Sequence, residues 1–493
     1  MIHRHRPDAP PADAPDAPPT AGHPSPSRRA VLLTGAAASA AALTACTSGN
    51  DGALGTPVAG TAPVTPTTLP LTPEQAALGN GDFALFTQAD LNFQTLFALG
   101  SAGQIAVAGE VASVVAQANS TPGGATYQAL FDAFVAMGNR LQEAATTSVK
   151  AGHKVTARSQ FLRSAKYYAQ ALYWVPGTST PGAEADVYTV MNDSFEAGLG
   201  LMDPAPQRMA IPYGKKDLPA WLLRPSDDGK ARPTIIMNNG SDGQNVDMLA
   251  QGGFGALERG YNVLIFEGPG QGSQLFLHNI VFRPDWEKVI GPVIDALSKR
   301  SDVDKLKIAV RGISFGGELC PRAAAFEPRL AAVIADPGST SAWDNYPTVV
   351  QNTAKAGTPE QVDAAWAQVI LPNVTPEQQF SLRKTLEIFS PVTHNQVIAG
   401  QLPTNWSELS TIIPKYNLTG VAEKITCPTL VTRYEGDIWF KDEPQQLYDM
   451  LTTKKKDLVQ FSSVDGSQYH CGPMAPQVAN EACWDWLDDQ FGR

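Results

Sequence analysis

Ser314 stands in Gly312-Ile313-Ser314-Phe315-Gly316, a G-x-S-x-G arrangement. An apolar run at 306–310 that reads as a strand precedes it, and Gly317 and a helix-like stretch at 318–326 follow. Strand, sharp turn and helix form the setting in which this pattern presents a nucleophilic serine. Glycines two residues either side let the chain double back, so the hydroxyl is lifted clear of the sheet. The helix start beyond it favours developing negative charge.

A serine hydroxyl is a weak nucleophile until a base takes its proton. Of the seven histidines, His3, His5 and His23 lie in an N-terminal tail, His153 in a helical region and His278 before the serine. A site of this kind runs serine, acid, histidine along the chain. Only His394 and His470 follow Ser314, and His394 precedes any credible acid. His470, in Gly466-Ser467-Gln468-Tyr469-His470-Cys471-Gly472, lies between the last strand and the last helix and is the candidate base. The acid belongs just past the strand at 429–432, where Arg433-Tyr434-Glu435-Gly436-Asp437 supplies two carboxylates. Asp437, beyond the glycine, is preferred to Glu435, and Asp465 comes third. Its task is to orient the imidazole and stabilise its charged form.

The oxyanion needs two backbone donors. Phe315 N–H is one. The other belongs to the turn Asn238-Asn239-Gly240-Ser241-Asp242-Gly243, with Ser241 the first choice and Gly240 and Asp242 next. Glu267, heading the turn Glu267-Gly268-Pro269-Gly270-Gln271-Gly272, and Trp439, two residues past Asp437, are candidate substrate-binding residues. That turn is spaced G-x-G-x-G, and Pro269 lacks an N–H, so it is not a dinucleotide fingerprint. No cofactor and no metal are expected: the five cysteines, at 46, 320, 427, 471 and 483, form no CxxC pair. Cys471 and Cys483 read either as a disulfide of an exported protein or as two buried thiols.

These residues need a scaffold. From about 206 to 493, short apolar runs at 234–237, 261–266, 306–310, 330–335, 429–432 and 458–461 alternate with helices at 248–258, 286–297 and 478–491. Continuous apolar strands separated by helices indicate a parallel sheet covered on both faces, an α/β fold. An insertion at 337–420 is helical and irregular and reads as a lid or pocket wall. Ahead of it, residues 73–205 form a helical cap: Tyr127, Leu130, Phe131, Phe134, Met137 and Leu141 share one helix face, and Phe161, Ala165, Tyr168 and Leu172 another.

The chain has 493 residues, a net charge of -11 and a 43% hydrophobic fraction, which fits a globular body and disfavours nucleic acid as a partner. Residues 1–46 read as a tail plus an export signal: Arg28-Arg29 precede a short apolar stretch ending in Leu43-Thr44-Ala45-Cys46. The order resembles a twin-arginine signal with a lipoprotein cleavage box. It implies export, a lipid anchor at Cys46 as the sole membrane contact, and a tether over 47–72. The oligomeric state is open, a homodimer included.

The helical cap, the Glu267-to-Gly272 turn, Gly312-to-Gly317 and Tyr469-His470-Cys471 together resemble one branch of the α/β-hydrolase superfamily, over roughly residues 75 to 490. That branch holds 2,6-dihydroxypseudooxynicotine hydrolase, fungal polyketide-shortening hydrolases and fermentation–respiration switch esterases. The resemblance implies an α/β-hydrolase fold and a triad of Ser314, Asp437 and His470. Some members cleave carbon–carbon bonds beside a ketone and others cleave esters. The export signal and the long insertion depart from the pattern. The expected function is a serine hydrolase acting on a small-molecule carbonyl substrate, an ester first and a β-diketone-like carbon–carbon bond second. The rival from another class is a lipoprotein that binds a ligand without catalysis.

Overall fold

The computed structural model describes residues 84–86 and 88–493. The twin-arginine stretch, Cys46, the tether and the start of the expected cap lie outside the described residues. Helices α1 (Asn92–Gly100), α2 (Ala108–Asn119), α3 (Tyr127–Lys150), α4 (Lys154–Trp174) and α5 (Glu184–Leu199) come first. The Thr126 side chain accepts from Ala129 N and starts α3, as a threonine cap does. Its apolar stripe packs on α4, where Tyr167, Tyr168, Leu172 and Trp174 are buried. The two helices meet closely at Gly138, whose missing Cβ would lie 2.8 Å from the Tyr168 ring. Pro176, which cannot continue a helix, follows the end of α4.

Next come β1 (Gln207–Ile211), β2 (Leu218–Leu223), β3 (Arg232–Asn238), β4 (Asn262–Phe266), β5 (Val303–Ile313), β6 (Ala332–Asp336), β7 (Thr429–Tyr434) and β8 (Lys456–Phe461). They form one sheet in the order β1-β2-β4-β3-β5-β6-β7-β8. Only β2 pairs antiparallel, with both neighbours; the pairs from β4 through to β8 are parallel. The central strands are buried along their length, as strands covered on both faces must be. Their carboxyl ends point to one edge, where Ser314 (after β5), Asp437 (after β7) and His470 (after β8) all lie.

Several local expectations change. β1 and β2 carry no signal as clean as the central strands, because β1 alternates exposed and half-buried residues at the sheet edge. The helix expected over 248–258 is broken. Asn245–Met248 and Phe254–Glu258 are separate helices joined by a π-turn. Gly252 sits there at φ 140, because a Cβ would meet the Trp484 ring at 2.6 Å and Arg311 Nη1 at 2.7 Å. Strand β5 is longer than the apolar run suggests, and Leu306 within it is 85% exposed. Cys471 and Cys483 are free thiols, so the disulfide reading falls.

Between β6 and β7 lies the insertion. Two of its helices, Pro359–Ala365 and α7 (Pro376–Leu386), start on the same T-P-E-Q capping box, and Ser390 caps the helix α8 (Pro391–Ile398). Trp366, Trp406 and Trp343 stack in its core. Burying each such ring contributes roughly 1.5–3 kcal/mol or more, and these tryptophans join the apolar core that runs through the sheet.

Candidate active site

Ser314 adopts φ 57, a conformation that costs about 1–3 kcal/mol in a non-glycine residue. Its neighbours make the turn sterically feasible. A Cβ on Gly312 would stand 2.0 Å from Gly316 O, and one on Gly317 1.8 Å from Pro337 O. Ser314 N donates to Asp336 O at 2.8 Å and Gly317 N to Ser314 O at 2.7 Å. Helix α6 (Gly316–Ala324) follows directly.

The structure brings Ser314, His470 and Asp437 into one line. Ser314 Oγ is 2.9 Å from His470 Nε2, and His470 Nδ1 is 2.7 Å from Asp437 Oδ2. Asp437 Oδ1 accepts from Trp439 N at 2.9 Å and Phe440 N at 3.1 Å, which fixes the carboxylate plane. Burial alone would depress the imidazole's pKa, but the Asp437 charge overrides it and the pKa is raised well above 6.5. The other two acids are elsewhere. Glu435 is exposed and accepts from Ser463 N, and Asp465 accepts from Ser462 N and Oγ. His394 lies on α8, 3.9 Å from Glu184.

The turn after β3 packs on the nucleophile. A Cβ on Gly240 would lie 2.7 Å from Ser314 Cβ, so that position must be glycine. Gly240 N, though, donates to Asn239 Oδ1 at 2.8 Å. Its amide is therefore taken, and Gly240 contributes space rather than a hydrogen bond. Ser241 N and Phe315 N donate to no partner among the described residues, and Ser241, Ser314 and Phe315 line one cavity. Gln271, in the glycine-rich turn, donates to Asn239 O at 2.7 Å and braces this loop.

Glu267 is not in the cavity wall. It is 1% exposed, and its oxygens accept from Tyr188 Oη (2.7 Å), Asn245 Nδ2 (2.7 Å), Ser273 N (3.0 Å) and Ser273 Oγ (2.5 Å). This carboxylate is saturated and joins α5 to the sheet. The expectation of a substrate contact there is corrected: no lone pair is left for a ligand. Trp439 does line the cavity, tilted against Phe93 at 4.7 Å and His470 at 5.1 Å.

The cavity holds about 910 Å³. Phe93, Phe97 and Tyr173 of the helical region wall one side, and Leu382 and Phe389 of the insertion another. One structural feature lacked an obvious sequence signal: Arg311, fully buried in β5. It donates to Asp336 Oδ2 at 2.6 Å and to Asn480 Oδ1 at 2.7 Å, while Thr432 and Tyr434 donate to Asp336 Oδ1, both at 2.6 Å. The same Asp336 holds Ser314 N through its main chain. An arginine inside an apolar strand, three residues before the serine, was the available clue.

Among the described residues, one group of three side chains has metal-ligand character: Glu184, Glu387 and His394, with ligand atoms within 4.8 Å of one another.

A parallel sheet with one antiparallel second strand, and a serine on a strained turn at its carboxyl edge, define an α/β hydrolase. The chain has the fold of that superfamily. No family model matches it. Hydrolase LUC6 of a Fusarium species is 27% identical over 430 residues, 83% of this chain and 98% of that protein. The 20-hydroxy-prefusarin hydrolase FUS2 of Gibberella moniliformis is 25% identical over 427 residues, again 83% and 98% of the two chains. In structure, 2,6-dihydroxy-pseudo-oxynicotine hydrolase superposes with a TM-score of 0.59 at 19% identity, over 80% of this chain and 95% of that one. The likeness in structure is one of fold, and the likeness in sequence is to hydrolases along nearly their whole length.

Proposed function

We propose that the chain is a serine hydrolase that cleaves a small-molecule ester through an acyl-enzyme. The observation that carries this is the line Ser314 Oγ–His470–Asp437, with steps of 2.9 and 2.7 Å, opening into the cavity. Ser314 Oγ attacks the carbonyl carbon while His470 Nε2 takes its proton. The N–H groups of Phe315 and Ser241 receive the oxyanion. Collapse breaks the bond to the leaving oxygen, which takes the proton from His470. Water, deprotonated by His470, then releases the acid and restores Ser314. Asp437 holds the imidazole in the tautomer that bears its proton on Nδ1.

A fluorophosphonate probe and a panel of chromogenic esters, with a β-diketone included, test the reading on wild type and Ser314→Ala. Wild type is labelled, and the variant loses labelling and at least about a thousandfold in kcat. An unlabelled wild type with turnover equal to that of Ser314→Ala would point to a ligand-binding role instead. Cleavage of the β-diketone alone would move the reaction to a carbon–carbon bond.

For location we propose export and lipidation at Cys46. The support is the order of Arg28-Arg29, the short apolar stretch and Cys46; the relatives named above are fungal and lend it none.

A further inference from the structure

Lys384, on α7, is 5% exposed, and its side chain lines the cavity that holds Ser314. Nζ donates to Glu387 Oε1 at 2.7 Å and stands 3.8 Å from Asp242 Oδ1, with the Tyr173 ring centroid 5.6 Å away. An ammonium has three N–H donors. One is spent on Glu387, and 3.8 Å is too long for a hydrogen bond to Asp242. Two donors are left for a ligand, in a wall where Phe93, Phe97, Leu382 and Phe389 alternate with the carboxylates of Asp242, Asp247 and Asp344 and a second lysine, Lys441.

Behind the ammonium stand Glu184 and His394. The carboxyls of Glu184 and Glu387 face each other, and apart from that contact both oxygens of Glu184, Glu387 Oε2 and His394 Nδ1 are buried without a hydrogen-bond partner among the described residues. A metal ion in this group would meet Lys384 at close range, and like charges in a buried site repel strongly. Lys384 is therefore the cation of the cluster. Burial works against its charge, and Glu387 first, then Asp242 and Glu184, hold the proton on. Burial, and for Glu184 also the nearby Glu387, favour protons on the two carboxyls. Burying a lysine among carboxylates costs desolvation that an apolar side chain would avoid, so its presence in a cavity wall calls for a ligand that uses it.

We propose that Lys384 is a specificity-determining residue: it receives an oxygen anion, a carboxylate or enolate, that the substrate carries away from the carbonyl attacked by Ser314. The proposal rests on the serine-hydrolase reading. The reach follows from the turn. Gly240 lies against Ser314, and Asp242 is two residues further, at most about 7.6 Å along the chain. Adding the Asp242 side chain and its 3.8 Å gap to Lys384 Nζ gives an upper limit on the separation, and the number of bonds between anion and scissile carbonyl is what the substrate series reads.

The test uses the full chain and two pairs of substrates. The 4-nitrophenyl hemi-esters of adipate and pimelate are compared with 4-nitrophenyl hexanoate and heptanoate. Wild type favours the hemi-esters. In Lys384→Met the ratio of kcat/KM for hemi-ester over neutral ester falls roughly tenfold or more, through KM rather than kcat, as the loss of a charge-assisted hydrogen bond requires. Lys384→Arg restores part of the ratio. Lys384→Met strands the Glu387 carboxylate, so Lys384→Met with Glu387→Gln, which removes both charges, is the second variant. A ratio unchanged in both variants, or a wild type with no preference for the hemi-esters, overturns the proposal. Fluorophosphonate labelling of each protein separates the two readings. If wild type is labelled but does not discriminate, only the role of Lys384 fails. If wild type is not labelled, the serine mechanism fails.

Discussion

Asp437→Asn isolates what the acid does. In the native site Oδ1 accepts two main-chain N–H bonds, from Trp439 and Phe440, and Oδ2 faces His470 Nδ1 at 2.7 Å. An asparagine keeps the shape but must choose an orientation. Turning its NH2 toward the two main-chain N–H groups would forfeit both bonds, about 1 kcal/mol or more each, and set donor against donor. The amide oxygen therefore stays there, and the NH2 points at His470 Nδ1. Nδ1 becomes an acceptor, the proton moves to Nε2, and Nε2 can no longer take the proton of Ser314. The expected loss in kcat is about 10⁴-fold, the size seen for this change in a serine protease, or about 5 kcal/mol of barrier. The pH dependence gives an independent signature. The base works as neutral imidazole, and Asp437 raises its pKa above 6.5 against the pull of burial. Wild-type kcat/KM thus falls as pH drops through a value above 6.5, and in the variant the residual activity extends to lower pH. The assay is kcat/KM against pH for one chromogenic ester, with the fluorophosphonate labelling rate measured alongside. A loss below tenfold, or an acid limb that does not move, refutes the assignment.

Tyr188→Phe removes one of four donors from buried Glu267; it should lower stability by about 1–3 kcal/mol, read as a drop in Tm, with kcat/KM nearly kept. A loss of activity with Tm unmoved would return Glu267 to the site. Cys46→Ser, expressed in a bacterial host that processes lipoproteins, should shift the protein from the membrane fraction to the soluble one; an identical distribution for both proteins rejects the anchor.

Much of the candidate site was legible because its parts depend on local rules. A serine between glycines after an apolar strand, a histidine before the last helix and an aspartate past a glycine turn are each set by their own few residues. Glu267 was misjudged for the same reason: the turn it heads is local, but the partners that saturate it, Tyr188 and Asn245, arrive from other segments. Gly240 was half right. Its position against Ser314 follows from the turn, whereas the loss of its amide to Asn239 is a matter of side-chain conformation.

The sequence by itself determined the order of elements, the strained serine turn and the one histidine that can follow the acid, because periodicity, glycine placement and chain order act over short spans. The tertiary structure decided the rest. It set the 2.7 Å contact of His470 with Asp437 rather than Glu435, the broken helix beside Arg311, and the cluster in which Lys384 of α7 and the adjoining Glu387 meet Glu184 of α5 and His394 of α8. Each depends on segments far apart in the chain being packed to within a few ångström. Burial and partner choice are properties of that packing, and no short stretch of residues carries them.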